Sequence, residues 1–121
     1  MTLNEYQEKA MRTSTESSSN FAYMTYGLGA EVGELMDKVA KWVRKNEARI
    51  EHNGIVFNTC EEDVRDNNLV EIKKELGDCL WFIAGIADVM GWSLEEVAES
   101  NIAKLADRQK RGVIIGNGDN R

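Results

Sequence analysis

The sequence predicts an all-α fold, a four-helix-bundle-like arrangement completed by dimerisation. Three observations predict it. Apolar residues recur at helical spacing over two long stretches, helix stop and start signals punctuate the chain, and no alternation of apolar and polar residues runs far enough to build a sheet. At 121 residues the chain is one domain, with room for a core but little to spare for enclosing a site alone. The helical domain is expected over 1–112, with an inserted loop at about 46–67 and a flexible tail over 113–121.

Thr2 or Asn4 can cap a short, peripheral first helix through Tyr6, Ala10 and Met11, and the polar stretch from Thr13 to Asn20 suits a loop. A second helix starts at Asn20. Met24, Leu28, Val32, Leu35, Val39 and Trp42 form its apolar stripe, and Lys38, Lys41, Arg44 and Lys45 make its end basic. A basic last turn complements the helix dipole and serves equally for phosphate contact. The period is lost from Asn46 to Asn67, where Asn53-Gly54 can turn a small hairpin but the flanking runs are short. His52, the one histidine, reads as an inert surface residue.

A third helix is expected from about Asn68 to Met90, stopped by Gly91. Its segment Cys79 to Ala87 is apolar on every face, which demands burial on more than one side and so a second chain. Ser93-Leu94-Glu95-Glu96 is a capping box with Trp92 and Val97 as a staple, so a fourth helix starts there and runs to Arg111-Gly112. Asn101, Lys104 and Arg108 share one of its faces.

Composition excludes several classes. The formal charge of −6 and the lack of a long basic run argue against a duplex nucleic acid partner. No signal-peptide core opens the chain, and its longest apolar run falls well short of the ~20 residues that span a bilayer, so no membrane partner is expected. Cys60 and Cys79 have neither metal-ligand nor disulfide-framework spacing. Reduced cysteines imply a cytoplasmic protein.

One pattern occurs twice. Glu31-Val32-Gly33-Glu34-Leu35 and Glu75-Leu76-Gly77-Asp78-Cys79 each read acid, apolar, glycine, acid, apolar within a predicted helix. Residues three apart share a helix face, so each copy aims two carboxylates one way, and two such helices side by side bring four together. Close backbone approach accounts for the glycines. Converging carboxylates need cations, and hard divalent ions, Mg²⁺ above all, take oxygen ligands of this kind. Acid spacing alone is weak: Glu5/Glu8, Glu34/Asp37, Asp63/Asp66 and Glu96/Glu99 share it. The glycine and the adjoining apolar stripe set the two chosen pairs apart.

Three ordered blocks, Gly27 to Leu35, Glu75 to Phe82 and Asn101 to Arg108, with an opening of Glu5-Tyr6-Gln7 and Arg12-Thr13, resemble the MazG-like nucleotide pyrophosphohydrolases over most of residues 4–112. The resemblance implies an all-α fold, a homodimer or dimer of dimers, and cleavage of ribo- or deoxyribonucleoside triphosphates to monophosphate and pyrophosphate with Mg²⁺, or Mn²⁺ in its place. It implies Glu31, Glu34, Glu75 and Asp78 as metal ligands, with Glu31 or Glu34 orienting a metal-activated water for attack at the α-phosphorus. Asn101, Lys104 and Arg108 fall where the family holds phosphate or sugar.

Phe82, four residues after Asp78, lies beside the second pair, where it can stack on a base or simply pack in the core. Two departures stand out. Ala30 occupies a position where many members carry another glutamate, and the two acid pairs are unusually far apart because of the 46–67 segment. The rival readings are a non-catalytic helical dimerisation module with a structural metal site and a phosphoribosyl-ATP pyrophosphohydrolase.

Overall fold

The computed structural model describes residues Met1–Arg121. Four helices, α1 (Leu3–Met11), α2 (Phe21–Arg44), α3 (Glu62–Val89) and α4 (Leu94–Arg111), form the fold, and one hairpin, β1 (Ala48–Glu51) with β2 (Gly54–Phe57), joins α2 to α3. The caps explain the helix starts. Thr2 and Glu5 close a capping box on α1, the Asn20 side chain accepts from the Tyr23 amide at the head of α2, and Ser93 with Glu96 closes a capping box on α4. The stops follow from backbone geometry: Gly91 and Gly112 adopt φ of 75° and 71°, the left-handed region that glycine enters without penalty.

The two long helices run antiparallel, because Met24 meets Gly85, Gly27 meets Phe82 and Lys38 meets Glu71 as residue numbers rise along one and fall along the other. Met24 is fully buried in this pairing, and Phe82, Ala84 and Ala87 of α3 are buried too. Glycine is required at two of these crossings. A Cβ at Gly27 would lie 2.0 Å from the Phe82 ring, and one at Gly85 would lie 2.3 Å from the Met24 sulfur. The close approach expected at Gly33 and Gly77 is absent within the chain, where a Cβ would meet nothing within 4 Å.

Other expectations are corrected or completed. The first helix is not peripheral: Gln7 is buried, its amide nitrogen donates to the carbonyl of Trp92 at 3.0 Å, and its oxygen accepts from the Leu94 amide at 2.8 Å. Asn4 also accepts from the Glu95 amide, and Trp81 donates to the Thr13 hydroxyl, so α1 holds the α3–α4 corner. The segment 46–67, expected as a loop in which a small hairpin could turn, does form that hairpin, with its turn at His52-Asn53 and Gly54 already in β2. Ile50 pairs with Ile55 across the hairpin, Ala48 is buried, and Phe57 meets Trp42 edge-on with ring centroids 5.3 Å apart. Finally, α3 begins at Glu62 rather than near Asn68, its first turn being polar and favoured by Glu62 and Asp63 at the positive end of the dipole.

The segment after α4 folds back on itself. The Arg121 guanidinium donates to the carbonyls of Val113, Ile114 and Gly118. Arg111 donates to the Arg121 carbonyl.

Candidate metal and substrate site

The antiparallel pairing of α2 and α3 sets Glu31 opposite the turn that carries Glu75 and Asp78. One carboxylate oxygen from each of these three residues lies within 4.8 Å of the others. Burial, then the charges of Asp78, Glu75 and Glu34, hold the Glu31 carboxyl above the usual glutamate range. The nearby Cys79 thiol is pushed up in the same way, by burial and then by Glu31, Asp78 and Glu75. Both cysteines are free. An all-oxygen set of mutually repelling carboxylates fits a hard divalent cation.

Glu34 does not join the trio. It is exposed on the next turn of α2 and reaches Glu31 through its charge alone. Residues three apart on a helix differ by ~60° in direction, enough for one acid to face α3 while the other faces solvent. At the other end of the trio stands Lys38, whose ammonium lies 3.3 Å from Glu75 and 3.3 Å from Glu71. The spacing of Glu71, Glu75 and Asp78 along one face was a usable signal for this row, but the cation opposite depends on how two helices align.

An apolar cleft of about 420 Å³ adjoins the acids and shares Glu31 with them; Tyr23, Tyr26, Gly27, Ala30 and Phe82 complete its lining. Phe82 both packs in the core and faces this cleft. It is buried, its ring lies 4.9 Å from that of Trp81 and 5.9 Å from that of Tyr23. Tyr26 is 80% exposed and was not singled out from the sequence. Tyr6, read from the sequence only as part of the opening block, comes close enough to Asp78 that burial, with help from that carboxylate, raises its phenol.

The cations of α4 form a separate group. Lys104 and Arg108 lie 3.4 and 3.1 Å from the Asp119 carboxylate, and neither forms an ion pair with α2 or α3. Arg108 is buried, donates to the carbonyls of Gly118 and Asp119, and keeps a buried Nε without a partner. Asn101 borders a different cleft, lined by Leu3, Leu80, Ile83, Leu94, Val97 and Ala98.

Residues 19–113 match the MazG nucleotide pyrophosphohydrolase domain. The Gene 37 protein of Mycobacterium phage L5 is 34% identical over 106 residues, covering 88% of this chain and 81% of that protein. No solved structure matches. No helix is long and apolar enough to cross a membrane.

Proposed function

This chain belongs to the MazG nucleotide pyrophosphohydrolase family, and from that premise we propose that it hydrolyses ribo- or deoxyribonucleoside triphosphates to the monophosphate and pyrophosphate in a Mg²⁺-dependent reaction. The observation that carries the proposal is the trio of Glu31, Glu75 and Asp78, drawn together beside an aromatic cleft that shares Glu31. Such a donor set suits Mg²⁺, with Mn²⁺ able to replace it. A divalent ion held there supplies neutralisation of the triphosphate charge and a more nucleophilic water.

The residues around it have distinct tasks. Glu31, or Glu34 on the following turn, is placed to orient the water that attacks the α-phosphorus. The bond from the α-phosphorus to the bridging oxygen breaks, and pyrophosphate leaves. Phe82 and Tyr26 offer ring faces to the base. Lys104 and Arg108 are assigned to the phosphates and Asn101 to phosphate or sugar. An anion bound there takes the place of the Asp119 carboxylate, which now holds both cations.

The substrate-competent form is proposed to be a homodimer or dimer of dimers in the cytoplasm. Val32 and Met36 on α2 are 43% and 68% exposed, and Leu76 on α3 is 53% exposed, an apolar surface that a second chain covers. Light scattering at micromolar concentration tests this, and a monomer mass overturns it. The reaction is tested by assaying pyrophosphate release across a panel of ribo- and deoxyribonucleoside triphosphates, with Mg²⁺ and with a chelator. Metal-dependent release is expected. Failure with every substrate would favour a non-catalytic helical module.

A further inference from the structure

Resting on the metal reading of the acidic trio, we propose that Lys38 is a placeholder cation: it neutralises Glu75 while no divalent ion is bound, passes to Glu71 when an ion takes Glu75, and thereby lowers the affinity of the site. The geometry is a ladder across the α2–α3 pairing. Glu31 stands opposite Glu75 and Asp78, and Lys38, two turns further along α2, stands opposite Glu75 and Glu71. Glu75 is the shared rung. Its side chain is 12% exposed, with the other acids on one side and an ammonium at 3.3 Å on the other.

Glu71 makes the exchange feasible. It lies one helical turn beyond Glu75, holds Lys38 through one oxygen at 3.3 Å, and holds Lys74 through the other at 2.7 Å. If an ion draws Glu75 away, Lys38 keeps a charged partner and is not left unpaired. Glu71 thus gives the ammonium a second seat outside the ligand set.

Two effects of Lys38 on an ion oppose each other. A unit charge about 6 Å from a divalent ion in water-like surroundings raises its dissociation constant about tenfold. A group that merely orients a ligand does the reverse, and its loss weakens metal binding by about 10- to 100-fold. Here repulsion should dominate: Glu75 comes from the middle of a long helix, so its place does not depend on one contact, and the Lys38 side chain is 31% exposed and free to shift.

The test is calorimetric titration of Mn²⁺ into the full chain, with thermal melts in chelator. Lys38→Met, which retains most of the apolar stem, should bind Mn²⁺ about tenfold more tightly and melt lower in chelator. Lys38→Arg should stay near wild type. Glu71→Gln, which leaves Lys38 leaning on Glu75, should bind Mn²⁺ several-fold more weakly. Unchanged or weaker binding by Lys38→Met overturns the proposal alone while the wild type still binds. If Lys38→Met does not fold, unchanged or tighter binding by Glu71→Gln overturns it. A wild-type chain that takes up no Mn²⁺ overturns both this proposal and the metal reading beneath it.

Discussion

Charge is concentrated in two regions of this molecule and treated oppositely in each. Between α2 and α3, three carboxylates face one another with a single ammonium at one edge, and Glu31 is held above its usual range partly by the others. Beyond α4, Lys104 and Arg108 meet the chain's own Asp119, whose carboxyl is held low by the Arg108 hydrogen bond and then by Lys104. The first arrangement is strained by its own charge; the second is largely satisfied from within. Like charges gathered by rigid helices need something from outside the chain to balance them. Opposite charges gathered by a short return of the chain require an incoming anion to compete with Asp119.

The same change, aspartate to asparagine, should therefore have opposite consequences in the two places. Asp78→Asn gives the largest effect: turnover is expected to fall by about 100-fold or more, with only partial rescue by excess Mg²⁺. Its stability in chelator should be unchanged or higher, because one repelling charge is gone. Wild-type pyrophosphate release from this variant would remove the contrast altogether. Glu96→Ala is the control, an acid engaged in neither region: loss of the capping box should cost on the order of 1 kcal/mol in denaturant melts and leave turnover of the folded protein intact.

Asp119→Asn should give the smallest effect and the opposite sign. Its carboxylate is 82% exposed, so the melting temperature should drop by no more than about 2 °C. Acidity reports on the same contact. Because the Asp119 carboxyl is held low in the folded chain, the unfolded chain binds more protons near the ordinary value of 3.8. Its stabilising contribution is present above that value and disappears as pH falls through the lowered folded value. Nuclear magnetic resonance of the Asp119 carboxyl carbon follows this directly, and an unperturbed titration would mean that the tail does not hold the cations.

The sequence was informative wherever a local rule governs. The Ser93–Glu96 capping box, the left-handed glycines at 91 and 112, and the acids Glu31, Glu75 and Asp78 on the core-edge faces could all be read from spacing. The start of α3 was hidden because Glu61 makes no side-chain cap and residues 62–67 show no apolar period. Glu34 was grouped with Glu31 by a spacing that tolerates two directions. Lys38 beside Glu75, Asp119 beside Arg108 and Phe82 filling the space above Gly27 all depend on how distant segments align, which periodicity within one helix does not encode.

The clamp made by Gln7 constrains the order in which the chain can assemble. Its partners are the carbonyls of Ala84 and Trp92 and the amide of Leu94, separated from it by 77 to 87 positions, and they exist as a set only once α3 has ended and α4 has begun. Closing so long a span before those groups are fixed would cost chain entropy with nothing yet to bind. Although α1 precedes α3 and α4 along the chain, it should thus dock after them. Pulsed hydrogen exchange during refolding should show α1 protected after the α3–α4 corner, and simultaneous protection would mean that the corner needs Gln7 in order to form.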